Sequence, residues 1–168
     1  GPAPGGAATA SRGDWLVQFE SMAANLFHLT AQLLPGMRSR KWGRVITIAS
    51  SGVEQPIPNL ALSNGIRAAV VGWSKTLAAE VAAEGVTVNI VMPGRIQTTR
   101  VAELDAAAAK RSDSTVEAVQ KASAAAIPAG RYGRPEEFAA MVVFLASEQA
   151  SYVTGSRLRV DGGAIRSI

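Results

Sequence analysis

Two short β-branched runs separated by one long helical pattern limit the fold more than any other feature of the chain. Residues Arg44 to Ser50 read RVITIAS, bounded by Gly43 and by Ser51-Gly52, and Val86 to Met92 read VTVNIVM, stopped by Pro93-Gly94. Both read as strands, the first as a buried one. Between them a helix is expected from about Asn59 to Glu84. Ile66, Val70, Trp73, Leu77 and Val81 mark its core face, and Gly85 stands where a C-cap glycine belongs. Strands joined through a helix pair in parallel, since parallel neighbours need a long crossover. Right-handed crossovers place the helices on both faces of an α/β layered fold.

The flanking segments extend the pattern. Residues 1–13 are small and turn-forming and read as loop. Asp14 is the expected N-cap of a first helix whose apolar stripe is Trp15, Phe19, Met22, Leu26, Leu29 and Leu33. Pro35-Gly36 weakens or bends that helix, and Arg38, Arg40 and Lys41 suit its negative end. Residues 99–126 are Ala-rich and read as helical but weakly packed. Pro135-Glu136-Glu137 opens another helix, ending near Ser147, and Ser156 to Val160 forms a third strand after the turn at Val153-Thr154-Gly155.

Composition narrows the chemistry. The 168 residues are 48% hydrophobic and 18% charged, as in an ordinary globular domain. There is no Cys and a single His, His28, so thiolate chemistry is excluded and a His-based metal site is not expected; no metal is assigned. The net charge of +4 is spread along the chain and calls for no nucleic acid. Arg38, Arg40, Lys41 and Arg44 around Trp42 read as a helix end turning into a strand. No apolar run is long enough to span a membrane, and no signal peptide is recognisable, so a cytoplasmic location is expected.

Three segments carry a family resemblance: GRVITIASS, then GWSKTLAAEVAAEGVTVNIVMPGRIQT, then IPAGRYGRPEEFAAMVVFLASEQASYVTGSRLRVDGG. In this order and spacing they resemble the short-chain dehydrogenase/reductase family, in its β-ketoacyl-carrier-protein-reductase-like branch. The resemblance implies the C-terminal half of a Rossmann-like, doubly wound parallel sheet. That half has three strands with flanking helices and lacks the N-terminal dinucleotide-binding half. No G-x-G-x-x-G motif occurs. One partial domain is expected over residues 1–168: loop to 13, a catalytic helix-strand-helix-strand region over 14–98, a substrate lid over 99–130, and a helix-strand-tail over 131–168.

The resemblance also implies site residues. The family's catalytic tetrad is Asn, Ser, Tyr and Lys. Ser50 takes the Ser position, Ser63 stands at the Tyr position and Arg67 at the Lys position. The Asn position falls on Met22, with Asn25 one turn later. Arg67, Pro93, Gly94, Ile96 and Thr98 are the expected cofactor-binding residues, and Glu54 is an expected substrate-side acid. Tyr132 and Tyr152 match structural positions, and His28 has no assigned role.

The Tyr-to-Ser change has a chemical magnitude. A phenol ionises near pKa 10, whereas an alkyl hydroxyl sits nearer water at about 15.7. That gap is about 7–8 kcal/mol, more than one neighbouring arginine is expected to supply. Two readings follow. One is an oxidoreductase transferring a hydride between NAD or NADP and a small carbonyl or alcohol, impaired in this chain. The other is a non-catalytic binding or scaffolding subunit of the same fold. Tight NAD(P) binding is not expected of this chain alone. A homodimer or homotetramer is expected through the two long helices and the segment Ser156 to Ile168.

Overall fold

The computed structural model describes residues 1–167, so Ile168 of the expected tail contact lies outside the described residues. The chain order is α1 (Arg12–Phe19), a π turn (Glu20–Ala24), α2 (Asn25–Ser39), β1 (Gly43–Ile48), α3 (Ala61–Val81), β2 (Val86–Pro93), α4 (Thr99–Arg111), α5 (Val116–Ala125), α6 (Pro135–Ala146) and β3 (Arg157–Val160).

The three strands form one parallel sheet in the order β1-β2-β3. Val45 lies opposite Val88, and Val91 opposite both Ile48 and Leu158. The central strand is buried from Val86 through Met92, polar Thr87 and Asn89 included; Asn89 is satisfied there by the Val153 carbonyl and the Ser156 N–H. Val86 and Val88 pack with Val45 against Leu77, Ala78 and Val81 of α3. Val91 packs on the other face against Leu145 of α6 and Ala150. The α/β class, the parallel pairing and the helices on both faces are as the sequence implies.

The first helix departs from expectation twice. It begins at Arg12, and the N-cap is Ser11 rather than Asp14. The Ser11 hydroxyl accepts from the Asp14 backbone N–H at 3.1 Å, and the Asp14 carboxylate accepts from the Ser11 N–H at 3.1 Å. This reciprocal capping box uses both residues, so an acid that could cap a helix stands at its third position instead. The helix is then interrupted by the π turn, which inserts one residue into the helical repeat. From the turn onward the inward positions move by one: Ala23 within it and Phe27 and Thr30 after it pack inward, whereas Leu29 and Leu33 are 59% and 53% exposed. Phe19, also expected in the stripe, is exposed, while Trp15, Met22 and Leu26 pack on Ile66 and Val70 of α3.

Two backbone features fix the ends of α3. A 3-10 turn (Ala82–Glu84) continues it to Gly85 at φ +76°, where a Cβ would stand 2.1 Å from the Lys41 carbonyl oxygen, so only glycine fits this cap. At the other end the N-terminal segment, expected as free loop, bridges to the helix. The Gly5 N–H donates to the Asn59 carbonyl at 2.7 Å, and the Ala61 N–H donates to the Gly5 carbonyl at 3.2 Å. Asn59, expected as the first helical residue, has φ +60° and belongs to the preceding turn. Among the described residues no helix is long and apolar enough to cross a membrane.

Candidate active site

The C-terminal ends of β1 and β2 lie side by side, since the Ala49 N–H donates to the Val91 carbonyl at 3.0 Å. In open parallel sheets this edge is where ligands bind. Ser50 stands two residues beyond β1, and its Oγ accepts from the Gly52 N–H at 3.1 Å. That contact leaves the Ser50 O–H free to donate. Ser63 and Arg67 share one face of α3, four residues apart. The Arg67 Nε donates to Ser63 Oγ at 3.3 Å, and one terminal nitrogen donates to the carbonyls of Ile48 at 3.2 Å and Ala49 at 3.1 Å. The structure therefore gathers Ser50, Ser63 and Arg67 around the end of β1. Burial pushes the Arg67 guanidinium below its usual value.

The expected cofactor-side loop runs from the end of β2. The Gly94 N–H donates to the Val160 carbonyl at 3.0 Å. A Cβ on Gly94 would stand 2.6 Å from the Asp161 Cα, so packing against the β3 end requires this glycine. Ile96 is buried, and its neighbours bridge to Gly133: the Gly133 N–H donates to the Arg95 carbonyl and the Gln97 N–H to the Gly133 carbonyl. The N–H and C=O of Ile96 itself have no partner among the described residues. Pro93 ends the strand, and Thr98 is the N-cap of α4, its hydroxyl accepting from the Val101 N–H at 3.4 Å.

Other candidates do not join this group. The Glu54 carboxylate pairs with Arg159 at 3.4 Å and Arg157 at 3.8 Å, holding its loop to β3, and it contacts neither Ser63 nor Arg67. Asn25 is exposed, and Met22 packs in the apolar cluster beneath α1. Tyr152 is fully exposed. The basic cluster is engaged locally. Arg40 and Arg44 lie over the Trp42 ring, Arg44 donates to the Ser147 carbonyl, and Arg38 pairs with Glu84. No cluster of metal-ligating side chains occurs among the described residues.

Sequence reasoning missed a polar cluster under the 99–126 segment. Asp105 of α4, fully buried, accepts from Arg95 and from the Tyr132 hydroxyl at 3.0 Å. Arg95 also donates to the Tyr132 oxygen at 3.3 Å and lies 5.6 Å from its ring centroid. Asp105 and Tyr132 line a cavity of about 640 Å³ between α4, α5 and the Gly130–Tyr132 turn, open to Thr98 and Lys121. The available signal was Asp105 itself, a poor helix former inside an alanine run.

A family model described as enoyl-(acyl carrier protein) reductase matches residues 2–164. The chain is 37% identical over 152 residues to the 3-oxoacyl-(acyl-carrier-protein) reductase FabG of Vibrio cholerae, covering 89% of this chain and 57% of that protein. It thus spans little more than half the length of such curated relatives. Among solved structures it resembles YwfH, an NADPH-dependent reductase involved in bacilysin biosynthesis. The TM-score is 0.94 at 30% identity, over all of this chain and 65% of that one. It also resembles the L-sorbose reductase of Gluconobacter frateurii complexed with NADPH and L-sorbose, with TM-score 0.92 and 31% identity over all of this chain and 64% of that one. With the strand order, the sheet-edge serine and these matches in agreement, the chain belongs to the short-chain dehydrogenase/reductase family.

Proposed function

We propose that the chain is the substrate-side part of an NAD(P)(H)-dependent oxidoreductase acting on a small carbonyl or its alcohol, with an impaired proton relay. The observation that carries this reading is the Ser63–Arg67 pair beside Ser50 at the end of β1. Ser50 and Ser63 each offer an O–H donor to a substrate oxygen, which polarises a carbonyl. Neither hydroxyl releases its proton readily, and the nearest cation is held by the Ile48 and Ala49 carbonyls.

The residues fit the nicotinamide end of the cofactor. The unpaired Ile96 N–H and C=O offer the donor and acceptor that a carboxamide requires, and Thr98 stands beside them at the start of α4. A bound nicotinamide supplies or accepts the hydride. Among the described residues none forms the glycine-rich phosphate turn, and on this reading the isolated chain binds NAD(P) weakly. The lid is the α4–α5 unit, and the cavity beneath it is the substrate's space.

The second reading, a non-catalytic subunit, is favoured by the Arg67 contacts, which brace β1 without any ligand. One experiment separates the two. Ser63→Tyr with Arg67→Lys is made in a protein that joins this chain to a dinucleotide-binding half. Ketone or β-ketoacyl thioester reduction with NADPH is expected to rise about tenfold or more. An unchanged rate with an intact fold overturns the impaired-enzyme reading.

A further inference from the structure

A second cavity, of about 310 Å³, lies between α3, β2 and the entry to β3, and none of Ser50, Ser63, Arg67 or Asp105 lines it. Its floor is apolar, formed by Val71, Val88 and Ile90, and its rim carries Lys75 and Arg157. Three observations mark it as more than a packing gap. Gly72, solvent-exposed, lines it from within the 21-residue helix α3, and apart from the helix's own neighbouring backbone no heavy atom lies within 4 Å of where a Cβ would stand. A mid-helix glycine shifts the folding equilibrium about fivefold unfavourably relative to alanine, and no close approach of protein explains this one. Ser74 on the same wall is 3% exposed, and its hydroxyl has no hydrogen-bond partner. Thr30 and Thr76, also helical, each bond the carbonyl four residues back.

The third observation is charge. Lys75 donates to the Gly155 carbonyl at 2.9 Å and has no carboxylate partner among the described residues. Arg157 has only Glu54, at 3.8 Å, and Glu54 lies nearer to Arg159 at 3.4 Å. Two incompletely paired cations over a small apolar floor select an anion with a hydrocarbon body. The volume is at the lower end for ligand sites, which favours a short body.

We infer that this cavity is a binding site for a small monocarboxylate, with its carboxylate at Lys75 and Arg157 and its alkyl chain on Val71, Val88 and Ile90. Calorimetric and NMR titrations of the chain with hexanoate, hexanol and acetate test it. Hexanoate is expected to bind saturably, and acetate and hexanol each about tenfold more weakly or worse. Gly72→Leu fills the cavity and is expected to weaken hexanoate about tenfold or more without lowering the melting temperature. Lys75→Gln with Arg157→Gln is expected to bring hexanoate down to the level of hexanol. Non-saturable hexanoate binding, equal binding of hexanol, or unchanged affinity in the folded Gly72→Leu protein overturns the site. Should Gly72→Leu fail to fold, unchanged hexanoate affinity in the charge variant overturns it alone.

Discussion

Removing either partner of the Arg95–Asp105 ion pair breaks the same contact, yet the two substitutions differ in what they leave behind. The Asp105 side chain is 0% exposed, and that of Arg95 is 39% exposed. Arg95→Ala strands a buried carboxylate with the Tyr132 hydroxyl as its one remaining donor. An uncompensated buried charge costs about 3–5 kcal/mol. Asp105→Asn leaves a guanidinium that can turn to water, so its cost is that of charge-assisted hydrogen bonds, about 1.5–3 kcal/mol. For a chain of this size each kcal/mol moves the melting temperature by about 2–4 °C. Arg95→Ala is therefore expected to melt about 6–20 °C lower, and Asp105→Asn by roughly half as much. Replacing both, as Arg95→Met with Asp105→Leu, removes charge and partner together and is expected to recover most of the loss. Urea midpoints and thermal melts of the three variants decide it. Equal losses from the single substitutions, or a larger loss from Asp105→Asn, would refute the burial argument.

Three further outcomes follow from other parts of the molecule. Gly85→Ala places a Cβ 2.1 Å from the Lys41 carbonyl at φ +76° and is expected to cost well over about 1 kcal/mol in urea unfolding; a neutral result would contradict the described turn. Hydrogen bonds from Arg131 and from the Arg134 backbone hold the Glu137 carboxyl at about 2, below its ordinary 4.5. Its stabilisation is thus full above about 4.5 and lost as pH falls toward about 2. Glu137→Gln should flatten that part of the urea-midpoint profile, and an unchanged profile would count against the pairing. The outer edge of β1 pairs with no strand among the described residues, and Leu29 and Leu33 stand exposed on α2. The purified chain is expected to associate at micromolar concentration, and light scattering at a clean 17.4 kDa would exclude this.

The sheet and α3 were legible because their signals are local. A β-branched run, a helical apolar period and a glycine after the last turn each report on their own neighbourhood. The placement of Ser50, Ser63 and Arg67 followed from the same features, since a strand end and one helix face fix where they stand. The π turn was invisible for the opposite reason. One inserted residue leaves a stripe that still looks helical, and Leu29 and Leu33 fit it as well as Thr30 does. The bridge from Gly5 to α3 is made by backbone atoms and has no side-chain signature. The Arg95–Asp105–Tyr132 cluster draws on three separate segments, and only the folded chain brings them together. The ion pairs of Glu54 were hidden in the same way, because its arginine partners arrive from the far end of the sequence.

The central position of β2 bears on how the chain is made. Its buried apolar residues need β1 on one edge and β3 on the other, and β3 begins only at Arg157. During synthesis β2 therefore waits, half-covered, while the alanine-rich helices and α6 emerge. This edge of β2 is covered only when β3 clears the ribosome exit tunnel. A protease cut ahead of Arg157 leaves an open, adhesive strand rather than a shorter domain, so chaperone dependence should be set by how soon β3 follows β2.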